Sequence, residues 1–202
     1  MVKKQIASAI KMLLALTLLT GVVYPLIMTG ICRIAYPDKS DGSIVRVQNG
    51  MPVGSRLLAQ EFDSTIYFHP RPSAVGYNAP MSAGSNLPAS SGGSNWGPIA
   101  DTLRTIINSN RAGFIHDNGL DPSSPVPNDI VTSSGSGLDP DISPDAARIQ
   151  INRVASARHF APSQTEQLKA LVESKVQAPQ FGILGDSRVN VLDLNLALDA
   201  MK

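Results

Sequence analysis

The chain has 202 residues, with 17 Lys and Arg against 16 Asp and Glu, three histidines and a single cysteine. This near-neutral balance supplies no basic patch of the kind nucleic acid requires, and one cysteine excludes a disulfide scaffold. The length allows one ordinary domain with a real core beside any targeting or membrane segment.

The N-terminus carries Lys3, Lys4 and Lys11, and then Met12 to Cys32 contains no charge. At about 1.5 Å per residue, a helix over this run spans roughly 30 Å, the thickness of a bilayer's hydrocarbon core. A cleaved secretory signal fits poorly, because its apolar region is usually about 7–15 residues long and ends at a small-x-small site. Thr29-Gly30-Ile31-Cys32 is likewise a poor lipoprotein cleavage site, since bulky Ile31 stands where a small residue belongs. The expected organisation is a cytoplasmic tail over 1–11, a transmembrane helix over 12–32 and an extracytoplasmic domain over 33–202. Orientation follows from the lysines ahead of the span, because cytoplasmic flanks carry the basic excess. Everything after the tail holds 14 basic against 16 acidic residues. Thr17, Gly21 and Gly30 offer small side chains where another helix could approach within the bilayer, and Pro25 can kink the span.

In the outer part, Ser43 to Val47, Arg56 to Gln60, Ile66 to Phe68 and Arg188 to Leu192 read as short strands. A helix is expected from about Pro98 to Asn110, with Ile99, Leu103, Ile106 and Ile107 on one buried face and Gly113 stopping it. A second starts at Ser143 as N-cap with Pro144 in the first helical position, and places Ala147, Ile151 and Val154 together. A third opens with Ser163 and Glu166 as a capping box, buries Leu168, Leu171, Val172 and Val176, and ends by Pro179. The closing VNVLDLNLAL reads as strand then helix. The fold class is therefore α+β: one transmembrane helix followed by one α+β domain. Between residues 70 and 98, Pro, Gly, Ser and Asn fill 19 of 29 positions. A loop this long inside a compact domain is usually functional or disordered, and Tyr77 and Trp96 give this one aromatic anchors that favour an ordered surface.

Chemistry-bearing motifs are sparse. Gly135-Ser136-Gly137 lacks the third glycine of a dinucleotide fingerprint, where Pro140 stands, and no Walker loop is present. Asp139, Asp141 and Asp145 suggest cation ligands, but Pro144 and Gln150 occupy the positions where an EF-hand needs Gly and Glu. Their other reading is Asx-type turning at Asp139 and Asp141, with Asp145 facing a helix N-terminus. His69, His116 and His159 lie in no hydrolase or zinc motif, and His69, between Phe68 and Pro70, reads as structural.

Four ordered stretches carry a family resemblance: Tyr67 to Ala74, Ser91 to Asn95 with Gly97-Pro98, Val131 to Ala147, and Arg188 to Leu192. Behind one N-terminal membrane helix, they resemble the C subunit of Kdp-type potassium-transporting ATPases over essentially the whole chain. The resemblance implies a bacterial inner-membrane complex with a potassium-selecting A subunit, a P-type B subunit that hydrolyses ATP, and a small F subunit. It further implies a C subunit with no catalytic activity and no cofactor of its own, ATP and Mg belonging to the B subunit, whose ATP affinity the C subunit raises as a catalytic chaperone. Two positions depart from the family's usual pattern: Asp141 replaces His and Trp96 replaces Leu.

Within that frame Tyr77, Trp96, Ser133, Ser134, Ser136, Asp139 and Asp141 are candidate partner-docking residues, and Ser133 to Ala147 is a shaped turn that starts a helix. The alternative is a membrane-anchored extracytoplasmic binding protein with a concave polar site, and an anchored hydrolase is a third class.

Overall fold

The computed structural model describes residues 2–47, 50–77 and 90–201. It divides into two units, Met1–Ile44 and Val45–Lys202. In the first, α1 (Val2–Leu18), a π turn (Leu19–Val23) and α2 (Tyr24–Ala35) run on as one helix of 34 residues, long and apolar enough to cross a membrane. It encloses the expected span 12–32 and extends it at both ends. The wide turn sits just before Pro25, whose ring cannot donate to the preceding turn and crowds it. The side chains of Thr20 and Thr29 return their hydroxyls to the carbonyls of Leu16 and Pro25, at 2.8 and 2.7 Å. Both hydroxyls are thereby satisfied without water. A short helix, α3 (Pro37–Ser40), follows.

The second unit contains a two-stranded pair, β1 (Ile44–Arg46) and β2 (Pro52–Ser55), and a second pair, β3 (Asp141–Ile142) and β4 (Val189–Asn190). The latter is antiparallel, with Asp141 opposite Asn190 and Ile142 opposite Val189. Its four longer helices are α4 (Asp101–Asp117), α5 (Pro144–Ala157), α6 (Pro162–Lys175) and α7 (Val191–Asp199). Helix α6 packs against both α5 and α7. One core results, centred on Phe68, Ile142, Val154, Leu168, Val172, Val189, Leu194 and Leu198. The α+β class holds.

Several element boundaries differ from expectation. Helix α4 starts at Asp101, because Ala100 is still extended and closes a turn onto the Gly97 carbonyl at 3.0 Å. Ile99 therefore falls outside the helical phase and is 92% exposed rather than buried. Gly113 does not stop the helix. A mid-helix glycine costs only about 1 kcal/mol, and Phe114 and Ile115 bury the next turn. The stop is Gly119 at φ +61, where its N–H reaches the His116 carbonyl and that of Leu120 reaches Ile115, a Schellman closure. His159 ends α5 in the same way at φ +55.

Ser143 does cap α5, accepting from the Ala146 N–H at 3.1 Å with Pro144 behind it. Helix α6 instead begins two residues before the expected capping box, with Pro162 first. There the Gln164 side chain accepts from the Ala161 N–H at 2.9 Å, while Glu166 pairs with Lys169. Leu168 and Val172 are buried as expected, and Leu171 and Val176 partly so.

Two expected strands are absent. Arg56 to Gln60 turns instead, since Ser55 accepts from the Leu57 N–H through its hydroxyl and from Leu58 through its carbonyl. Ile66 to Phe68 has extended neighbours to pair with only in the form of side-chain amides, described below. The strand at Arg188 to Leu192 shrinks to Val189–Asn190, because Asn190 caps α7 by accepting from Asp193 at 3.1 Å. Helix therefore takes over at Val191.

Candidate docking site

Ser133, Ser134 and Ser136 lie on the turn 133–138, which is wedged between two arms of the long Pro- and Gly-rich segment. Residues 78–89 of that segment lie outside the described residues. From one arm, Ser73 donates its hydroxyl to the Gly137 carbonyl at 2.6 Å; from the other, the Gly92 N–H and the Ser91 hydroxyl both reach the Ser136 carbonyl, at 2.8 and 3.1 Å. The fit requires glycine. At Gly137, φ is +68 and an added Cβ would lie 2.6 Å from a Val75 methyl and 2.7 Å from the Gly92 carbonyl oxygen. At Gly93 it would meet the Gly135 carbonyl at 3.0 Å.

Beside this wedge lies an apolar groove of about 500 Å³. Helix α4 supplies Leu103, Ile106 and Ile107 to one wall, and Val131, Thr132 and Ser133 form another. Trp96 stands at its edge, 49% exposed. Asn110 fixes the two walls together by donating to the Val131 carbonyl at 2.9 Å. Among the described residues no charged side chain lines the groove. It can accept an apolar segment, with Trp96 as a large rigid contact of the kind enriched at interface centres.

Asp139 and Asp141 do not face this groove. They line a separate polar cleft of about 470 Å³ with Arg71, Asp129, Ser143 and Arg188. Asp139 accepts from Arg71 at 2.6 Å and from the Asp141 N–H at 3.1 Å, the Asx turn expected around Pro140. Asp141 holds Arg188 at 3.0 Å and accepts from Asn190 at 3.2 Å. Burial raises the Asp141 carboxyl above its ordinary value, against the lowering effect of Asn190 and Arg188. Both arginines of the cleft are thus already matched by a carboxylate. The buried Arg71 Nε has no partner among the described residues. Asp129 accepts from the Ser143 N–H and hydroxyl at 2.6 and 3.0 Å, fixing the N-cap itself.

The remaining candidates are placed as follows. Tyr77 is half-buried; its N–H donates to the Ser73 hydroxyl at 3.2 Å and its phenol donates to the Arg71 carbonyl, so it ties its own turn together. Burial pushes that phenol well above its usual pKa, with Glu61 adding to the effect. Ser134 is buried, and its hydroxyl has no partner among the described residues. Ser136 is exposed and accepts from the Leu138 N–H at 3.1 Å. Of the seven, only Trp96 and Ser133 share the groove. Thr17, Gly21 and Gly30 lie on the exposed N-terminal helix, where a Cβ added to either glycine would meet nothing within 4 Å.

Leu103, Ile106 and Ile107 were legible as one helical stripe, but the expected burial is incomplete: Ile106 is exposed and Leu103 and Ile107 are half-buried, because the stripe forms a groove wall and not a core face. Periodicity identifies an apolar face without saying what covers it. No group of three or more metal-ligating residues occurs among the described residues. His69 contacts the Ser64 carbonyl at 3.1 Å, and burial followed by the nearby Arg153 charge lowers its pKa, while exposed His116 meets the neighbouring Asp117 carboxylate at 3.2 Å.

Comparison with known proteins gives one consistent result. A family model described as "K+-transporting ATPase, c chain" matches residues 6–200. A protein of Rhodopseudomonas palustris (strain TIE-1) is 45% identical, with 98% of this chain and 97% of its own length covered. One of Methylobacterium nodulans is 47% identical over 93% and 92% of the two chains, and one of Burkholderia cenocepacia is 45% identical over 98% and 97%. All three are called potassium-transporting ATPase KdpC subunit.

Proposed function

Because the chain belongs to the KdpC family, the c chain of K+-transporting ATPases, we propose that it is a non-catalytic accessory subunit of an ATP-driven potassium uptake complex. It joins a potassium-selecting A subunit, a P-type B subunit and a small F subunit in a bacterial inner membrane. The helix Val2–Ala35 anchors it with the three lysines inside, and the second unit lies outside. The apolar groove edged by half-exposed Trp96 carries this reading. Its described lining sets the apolar side chains of α4 opposite Thr132 and Ser133 and includes no charge, which suits a protein segment.

The subunit raises the ATP affinity of the B subunit through differential contact with one state of the pump, transmitted by the membrane helix. ATP and Mg stay on the B subunit. Direct nucleotide binding by Ser133 or Ser136 is disfavoured, since the groove has no cation and the arginines of the neighbouring cleft are paired.

The test is Trp96→Ala in the full-length chain, extracted in mild detergent with its partners. The variant keeps its denaturant midpoint and loses co-purification with the P-type subunit. A lowered midpoint with assembly intact makes Trp96 a packing residue and overturns the docking role.

A further inference from the structure

A different surface carries an inference of its own. Between Lys175 and Asp186 the chain has ten consecutive residues without charge, Val176 to Gly185. They form a projecting turn whose base is the reciprocal backbone pairing of Gln177 with Arg188, at 2.8 and 3.0 Å. At its tip Phe181 is 91% exposed and Ile183 82%, and Leu184 is also exposed. Three bulky apolar side chains on adjacent positions, outside the core, are a feature that a domain facing only water seldom keeps.

The turn is also fixed in shape. Gln180 donates to the Leu184 carbonyl and Leu184 donates back, both at 2.9 Å, while Gly182 and Ile183 donate to Pro179 and Gln180 at 3.0 and 3.2 Å. Phe181 adopts φ +55, a region bulky residues rarely enter, and Gly182 and Gly185 follow at +77 and +80. Among the described residues nothing covers the Phe181 ring in return. Strain held at an exposed apolar tip points to a binding role.

We infer that the tip Phe181-Gly182-Ile183-Leu184 dips into the interfacial layer of the bilayer in which the chain is anchored. The chemistry favours lipid. The stretch brings no charge that would have to be desolvated, and the internal bonds of the turn occupy the N–H groups of Gln180, Gly182, Ile183 and Leu184, while the hydrated interfacial layer can serve the carbonyls left at the tip. Eight residues separate the end of α2 at Ala35 from β1 at Ile44, so even fully extended they reach no more than roughly 30 Å. Such a tether keeps the bilayer at high local concentration, and a tip too weak to recruit a free domain suffices when the anchor is already in place. This inference rests on the anchoring proposed for Val2–Ala35 and is independent of docking at Trp96.

The experiment uses full-length protein with Cys32→Ala, reconstituted into phosphatidylcholine vesicles. A nitrobenzoxadiazole label is placed at Ile183→Cys, with labels at Leu26→Cys in the anchor and Gln167→Cys on the exposed side of α6 as references. The label at 183 is expected to be blue-shifted and quenched by acyl-chain nitroxide lipids several-fold more than that at 167, and Phe181→Asp with Leu184→Asp abolishes the difference. These side chains lie outside the core, so the fold tolerates the changes. If 26 is quenched while 183 behaves like 167, the tip inference is overturned and the anchor stands. If neither 26 nor 183 is quenched, the anchor reading fails and takes the inference with it. A blue shift at 183 that requires co-reconstituted partner subunits and ignores the nitroxides identifies a protein pocket and overturns lipid contact.

Discussion

Phe68 and Asn195 exchange a full pair of hydrogen bonds: the Phe68 N–H donates to the Asn195 carboxamide oxygen at 2.9 Å, and the Asn195 amide donates to the Phe68 carbonyl at 3.0 Å. His69 does the same with Gln150, at 2.7 and 3.2 Å. An amide side chain from α7 and another from α5 thus act as the strand neighbours that Phe68 and His69 lack. Arg153, only 8% exposed and held by Gln150, the Thr65 carbonyl and Asn118, extends the network, and burial lowers its pKa to about 10.

Asn195→Ala leaves one buried N–H and one buried carbonyl unpaired. At about 1–3 kcal/mol each, the loss is on the order of 2–6 kcal/mol, read as a lower denaturant midpoint of the full-length chain in detergent. A shift below about 1 kcal/mol would mean that water replaces the amide.

Gly137→Ala forces a Cβ into the left-handed region and against the Gly92 carbonyl. We expect at least about 2 kcal/mol of destabilisation, from an αL penalty of roughly 1–2 kcal/mol plus the backbone clash. Gly135→Ala, whose Cβ meets nothing within 4 Å, serves as the mild control. Equal effects at the two positions would disprove the wedge.

Ser143→Ala removes the α5 cap and a hydrogen bond to Asp129. The expected cost is about 1 kcal/mol, with co-purification of partners retained. Unchanged stability with lost assembly would make Ser143 an interface residue.

Stability also depends on pH through His69. Its folded pKa is depressed, so the unfolded chain binds the proton first, and stability declines as pH falls below about 6.5 until the folded form titrates too. In His69→Gln the slope of the denaturant midpoint between about pH 7 and pH 5 should flatten. An identical slope in both proteins would assign the effect elsewhere.

Orientation is tested by a cysteine at exposed Ser123 in the Cys32→Ala background. A membrane-impermeant maleimide should label it on intact cells. Labelling only after permeabilisation reverses the topology and reopens direct ATP contact.

What the amino-acid sequence settled by itself were features with local causes. The uncharged run from Met12 to Cys32 required one long apolar helix, Ser143-Pro144 began α5 where a side-chain cap and a missing N–H both belong, and Leu168 with Val172 marked the buried face of α6. Tertiary structure decided whatever depended on a distant partner. Ile66 to Phe68 has strand composition, yet Asn195 pairs the Phe68 backbone and Arg158 the Ile66 carbonyl, both from distant helices, and no ladder forms. Gly113 looked like a stop because nothing nearby reveals that Phe114 and Ile115 will be buried, while the actual stop at Asn118-Gly119 follows local turn chemistry. Trp96 and Ser133 meet across one groove while Asp139 and Asp141 turn into another. Five candidates within the nine residues from Ser133 to Asp141 were divided by the direction of one turn, which the close passage of Gly137 against Gly92 imposes and no spacing along the chain encodes.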